Sequence, residues 1–480
     1  MISPSLHPDP IRAACERRSR FAFALTARTI ALLIAGFLWL IPGFWHWRFA
    51  LAMPAWDVLV LIAAALDGAR LPKPSQLIGE RSWSNAPALD SETEVELVIE
   101  NRGSTIVVCR LIDDLPPALV DAPITQRLTA FPRIPAKLRY RIHPQERGDC
   151  ETGWLYLRYG SPLGLLERWA KAPLVQTLRV YPALRTGEEQ QIFLARSRQI
   201  EMQLRQARQR GLGRDFESLR EYREGDDLRD ICWTATARRG EPITRQYQTE
   251  RSQPVWIVLD CGRLMRSRVA VSTPQAFALS ATPGAVHAPE RRIHSKLDFA
   301  CTTAVALAQL ALYSGDRVGL LAYGQGVQQR LLPGRGAAHL RQLIESLAQL
   351  RAEAGEADHL RATATLNRLQ PRRSLILWIT DLAETAMRPE VIDGALQLLR
   401  RHVLLFVAMA QPEVEQIASA RPKNVEQMFL SAAAQEMAGR RELLLARLHD
   451  QGALTMDLNP EALTSSVLNQ YLTVKERAMV

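Results

Sequence analysis

A chain of 480 residues with 47% hydrophobic and 23% charged side chains has ample material for packed cores, and its length asks for two or three domains. A net charge of +10 and a pI near 9.6 suit an anionic partner, either nucleic acid or a membrane surface. Cys15, Cys109, Cys150, Cys232, Cys261 and Cys301 are scattered without a CxxC pair, which argues against a zinc site or a disulfide framework and fits a reducing compartment.

From Thr29 to Trp47, TIALLIAGFLWLIPGFWHW carries no formal charge. At about 1.5 Å per residue it is long enough for a ~30 Å hydrocarbon layer. A second apolar run, Phe49–Leu66, follows Arg48 and holds Asp57 near its middle. A charge there costs roughly 2.5–3.5 kcal/mol on insertion. A buried soluble hairpin is the alternative reading. Trp39, Trp45, Trp47 and Trp56 gather near the turn between the runs, as interfacial aromatics do. The first run is too long and starts too late for a cleaved signal peptide. Arg12, Arg17, Arg18, Arg20 and Arg28 precede the pair, and Arg70, Lys73 and Arg81 follow it. The positive-inside rule therefore places both flanks in the cytoplasm. With the basic excess explained locally, no nucleic-acid partner is expected.

Beyond Leu71–Ser75 the pattern turns to period two. Val95, Leu97 and Ile99 alternate with Glu94, Glu96 and Glu100, and Ile106–Ile112, Leu138–Ile142, Trp154–Tyr159 and Thr177–Tyr181 read as further strands. Short strands over about a hundred residues predict a small antiparallel sandwich. Glu188–Arg210 has helical spacing and reads as a connector.

From Pro254 the patterns alternate. Val255–Leu259, Val318–Tyr323, Leu375–Thr380 and Val403–Met409 read as buried parallel strands, with a last strand at Ala453–Leu458. Leu297–Ser314, Ala337–Leu350, Pro389–Arg401, Val425–Arg447 and Glu461–Lys475 read as helices between and after them. The fold class is thus α/β, a doubly wound parallel sheet behind a helical hairpin and a sandwich, with the site expected at the strands' carboxyl ends. The expected divisions are 1–70, 71–185, 186–252 and 253–480. The Ala-, Ser- and Pro-rich stretch between Met265 and Leu297 reads as an insertion without structure, with a lid as the other option.

Asp260 and Asp381 end the first strand and the WITD strand. Carboxylates at adjacent strand ends are candidate Mg²⁺ ligands, and helix-capping or loop-amide acceptors otherwise. The arrangement resembles the von Willebrand factor type A fold with its metal-ion-dependent adhesion site. That family's Asp-x-Ser-x-Ser is here Asp260-Cys261-Gly262-Arg263-Leu264, so both serine hydroxyls are missing, and Glu353–Arg361 offers no threonine. Upstream, Gly211, Gly213, Phe216, Arg220, Tyr222, Gly225, Asp226, Asp227, Arg229, Ile231 and Trp233 form a motif of charge mixed with bulk. It is similar to the domain-of-unknown-function 58 family, with Cys232 where that family has an aspartate. The resemblance implies a protein of the bacterial inner membrane, multi-pass, with its soluble domains in the cytoplasm. It also implies a partner, a MoxR-type AAA+ ATPase, with other type A proteins as further partners.

Arg220, Tyr222, Asp226, Asp227, Arg229 and Trp233 are the candidate partner-binding or structural residues, and Asp260 and Asp381 the candidate metal ligands. No cofactor is expected, with Mg²⁺ the alternative. No GxxxxGK[ST] occurs, and Gly324-x-Gly326 lacks a third glycine, so no nucleotide fingerprint stands. A non-enzymatic interaction protein is the leading reading. A metal-dependent hydrolase using Asp260, Asp381 and the acidic residues of 221–230 is the alternative.

Overall fold

Period-two burial builds the N-terminal half. The structure, a computed structural model, describes residues 8–18, 22–44, 51–120, 122–183, 192–199, 215–223, 231–248, 253–272, 291–382 and 390–477. Its contacts separate two units, Met1–Ala183 and Leu184–Val480. In the first, the strands are β1 (Ile11–Ala14), β2 (Glu16–Arg17), β3 (Phe23–Leu25), β4 (Leu77–Trp83), β5 (Thr93–Asn101), β6 (Val107–Asp113), β7 (Ile124–Ala130), β8 (Ala136–Ile142), β9 (Gly148–Glu151), β10 (Leu155–Gly160), β11 (Leu166–Ala172) and β12 (Thr177–Val180). One antiparallel sheet runs β1-β4-β5-β8 and the other β2-β11-β10-β6-β7, with β3 also on β11 and a β9–β12 ribbon beside them. Leu77, Leu97 and Ile99 of the first sheet meet Leu111, Leu155 and Leu157 of the second in one core. Arg81 and Asp113 pair between the sheets, fully buried, with the Tyr140 hydroxyl also on Asp113. Strands β1–β3, which sequence patterning left unassigned, lie before the first apolar run and edge both sheets.

That run forms the helix Ala27–Ala35, a 3₁₀ segment Gly36–Trp39 and a last turn Leu40–Gly43. The second run forms the helix Ala52–Ala69, 18 residues or about 27 Å long. Counted with the turns to Gln76, it alone among the described residues is long and apolar enough to cross a membrane, and Ala27–Trp39 is apolar but shorter. The two helices touch: the Trp56 indole N–H donates to Leu32 O at 2.9 Å, and Gly36 packs on the Asp57 carboxylate, where a Cβ would come within 2.7 Å. Ile34, Phe37, Leu38, Leu59 and Leu66 face outward, exposed. At the foot, the Thr26 hydroxyl donates to Gly164 O at 2.6 Å and the Asp67 carboxylate accepts from Leu163 N and Leu165 N, all in the β10–β11 turn.

In the second unit, residues 192–199 of the expected connector are helical, and Arg196 reaches Asn469 at 3.1 Å. A separate hairpin, β13 (Asp215–Glu221) with β14 (Ile243–Gln248), carries the helix Trp233–Arg239 between its strands. The main strands are β15 (Pro254–Asp260), β18 (Arg317–Tyr323), β19 (Val327–Gly334), β20 (Leu375–Thr380), β21 (Val403–Met409) and β22 (Leu454–Leu458), in the order β19-β18-β15-β20-β21-β22. All pair in parallel except β19, which runs antiparallel on β18. The sheet is therefore mixed, not purely parallel: β19 is an added edge strand, and Pro333 sits near its end, where a proline is tolerated. The helices His359–Leu369, Glu390–Leu399 and Val425–Asp450 cover one face, sharing a core with Trp256, Tyr323 and Trp378. The helix Lys296–Tyr313 lies against β15 and β18 and beside the helix Leu463–Glu476. The ends of the insertion pair as β16 (Arg268–Ser272) and β17 (Arg291–Ser295), which corrects the unstructured reading there, and residues 273–290 lie outside the described residues.

Candidate functional site

Strand order reverses at β15, so the crevice lies at the carboxyl ends of β15 and β20. Asp260 ends β15 and is 3% exposed. Its Oδ1 accepts from Gly262 N at 2.7 Å and its Oδ2 from the hydroxyl of Thr380, the last residue of β20, at 2.6 Å. Burial pushes the Asp260 carboxyl up to about 6; the Thr380 and Gly262 donors hold it back, and the carboxylates of Asp381 and Glu353 add to the rise.

Asp381 follows Thr380 and is fully buried. Its Oδ2 meets the ammonium of Lys296 at 2.5 Å and the Gln411 amide at 3.1 Å, and its Oδ1 meets Arg441 at 3.4 Å. Lys296 is 1% exposed and sits at the first position of its helix, behind a capping box in which Ser295 and Asp298 bond reciprocally. An ammonium at a helix N-terminus opposes the macrodipole, so its counter-ion must be close. Arg441, from the middle of the helix Val425–Asp450, also grips Asp457 of β22 through Nε at 2.9 Å and Nη2 at 2.7 Å. Burial acts to weaken the Arg441 proton affinity, but Asp457 and Asp381 more than offset it and raise the pKa. Beside Arg441 opens a cleft of about 480 Å³ lined by Gln411, Met437, Leu445, His449 and Asp457.

The residues present do not fit a divalent cation. Asp260 turns both oxygens to protein donors, and Asp381 already faces a fixed ammonium that a metal would have to displace. Glu353 accepts from Gln325 N at 2.7 Å and from the Gln328 amide at 2.8 Å.

The motif residues lie apart from this cluster in the hairpin. Arg220 on β13 is half-buried and donates to Glu221 O at 3.1 Å, and Tyr222 N donates to Pro242 O at 2.9 Å. Ile231 bridges to Thr244 and is buried. Trp233 opens its helix 70% exposed, so it does not pack onto the sheet. Asp226, Asp227 and Arg229 lie outside the described residues. Sequence patterning missed Lys296, Thr380, Gln411 and Arg441. The only signal for Lys296 was its place one residue past a capping serine.

The family described as protein of unknown function DUF58 matches residues 218–420. Uncharacterized proteins of Mycobacterium bovis and Mycobacterium tuberculosis are 26% identical over 206 residues, 42% of this chain. The match spans 56% of the length of these relatives. Among solved structures, a conserved hypothetical protein BatB from Bacteroides thetaiotaomicron aligns at 14% identity over 47% of this chain and 100% of that one, with a TM-score of 0.27. An uncharacterized membrane spanning protein from Vibrio fischeri aligns at 12% identity over 46% and 96%, with a TM-score of 0.17.

Proposed function

We propose that this chain is a membrane-anchored, cytoplasm-facing interaction protein. On this reading it carries a type A-like module and docks a MoxR-type AAA+ ATPase, with no chemistry of its own. The observation that carries it is the contrast between the two candidate sites. At the crevice, Asp381 is neutralised by Lys296 and Arg441. In the motif, Trp233 stands 70% exposed at the head of a helix that ends in Arg238 and Arg239. An exposed tryptophan and exposed arginines on one short helix are residue types of interface hot spots. The hydrolase reading needs Asp260 and Asp381 free to hold metal, and their contacts speak against it.

Topology supports the anchor. Strands β1–β3 precede the apolar helices and β4–β12 follow them, yet both sets belong to one sandwich. The segment between must leave and return on one side, so it crosses a bilayer twice or not at all. Exposed apolar side chains on both helices favour twice.

The test is affinity capture of the full chain from detergent extract, beside Trp233→Ala. The wild type should recover an AAA+ ATPase, and the variant should lose at least about tenfold, as hot-spot truncation does. Recovery of no such ATPase, or equal recovery by the variant, refutes the reading.

A further inference from the structure

The helix Val425–Asp450 is oriented against expectation. Val425, Met428, Phe429 and Ala432 recur at the spacing of an apolar helical stripe. Such a stripe normally faces the core, yet here the buried residues are Ser431, Ala434 and Leu448. Ala434 lies half a turn around from Val425. Val425 and Phe429 are each 67% exposed, Met428 52% and Leu430 54%. They crown a helical hairpin whose other arm is Pro412–Ser419. The turn between the arms supplies Arg421 and Lys423, and Glu426 is the one acid between Ala420 and Leu430.

We infer that this tip is a second membrane contact, which lays Val425, Met428 and Phe429 into the interfacial layer of an anionic bilayer. Four large side chains on a convex end expose a few hundred Å² at most, well short of the ~800 Å² per partner that a stable dimer buries. An apolar end flanked by cations matches the headgroup boundary, where apolar groups enter the acyl region and Lys and Arg meet anionic lipid. The occupant is within reach because the same polypeptide carries the helix Ala52–Ala69. The inference rests on the anchoring reading in that respect, and the test separates the two.

The full chain is reconstituted into vesicles of phosphatidylcholine and phosphatidylglycerol containing doxyl-labelled lipid. Bimane is placed in turn at Phe429→Cys, at Leu61→Cys in the anchor helix, and at Leu332→Cys on β19, the opposite edge of the main sheet. All three positions are exposed, and five native cysteines are buried and Cys150 half-buried, so the unsubstituted chain gives the background. Expected is quenching of at least about twofold at positions 61 and 429, little at 332, and weaker quenching at 429 when phosphatidylglycerol is omitted. Quenching at 61 with none at 429 overturns this inference and leaves the anchor standing. Quenching at 429 without 61 upholds it while refuting the anchor. A blue shift at 429 without doxyl quenching, the mark of a second copy or a protein partner, also overturns it.

Discussion

Replacing Lys296 with methionine keeps the length of the side chain and removes the ammonium that meets Asp381 at 2.5 Å. Both partners are essentially out of water. Deleting one member of a buried pair costs about 3–5 kcal/mol, because the other charge stays behind uncompensated. Here Arg441 remains at 3.4 Å and Gln411 at 3.1 Å, so the lower end, about 3 kcal/mol, is expected. For the unit Leu184–Val480, at about 2.1 cal/mol/K per residue, that is a fall of roughly 5 °C in Tm. The assay is thermal unfolding of the full chain in detergent, followed by tryptophan fluorescence, to which Trp256 and Trp378, both fully buried in the main-sheet core, contribute. The double variant Lys296→Met/Asp381→Leu should recover most of the loss, since an apolar pair needs no counter-ion. Mg²⁺ should leave the wild type unmoved. A single-variant loss below about 1 kcal/mol, a double variant as damaged as the single, or a wild type stabilised by Mg²⁺ through Asp381 would each refute the argument.

The pH dependence of the same unit should show two opposed contributions. Asp260 is raised from 3.8 to about 6, so its contribution is lost as pH rises from about 4 to 6. His359, buried with Nδ1 2.9 Å from the Tyr323 hydroxyl, is lowered from 6.5 to about 4 by burial, so its contribution is lost as pH falls through that window. Each shift corresponds to about 3 kcal/mol. Denaturation from pH 4 to 7 should therefore show Asp260→Asn gaining on the wild type toward neutral pH and His359→Gln gaining toward acid. Constant variant-minus-wild-type differences would contradict this. In the first unit, Arg81→Met strands the buried Asp113 and should cost about 3–5 kcal/mol in denaturant unfolding of the sandwich; restoration by Asp113→Leu in the same chain is the control.

What could be read from sequence was what is periodic. The alternation of β5 is one buried face over nine residues, and the apolar runs of β15, β20 and β21 are central strands buried on both sides. The edge strands β8 and β22 were legible too, whereas β1–β3 and β19 escaped, because β1–β3 are two to four residues long and β19 carries a proline. The crevice was half legible. Asp260 and Asp381 stand out as the charges that end apolar strands, whereas Lys296 and Arg441 stand among many lysines and arginines, 85 and 60 residues from the aspartate they neutralise. No local spacing encodes a contact of that range. Trp233 reads from sequence as either a partner-binding or a structural residue, and its 70% exposure comes only from its place at the head of the helix carried by the β13–β14 hairpin.

The placement of β1–β3 also fixes an order of events during synthesis. Ile11–Ala14 pairs with β4 and Phe23–Leu25 with β11, so the first strands emerge without partners: β1 waits until both apolar helices and Leu77–Trp83 are made, and β3 until Leu166–Ala172 is made. Their edges stay open through that interval. The sandwich can therefore close only after both apolar helices have been made. A fragment begun beyond residue 70 to gain solubility would lack β1–β3 and expose β4 and β11 as raw edges, so its aggregation would report the missing strands and not an unstable core.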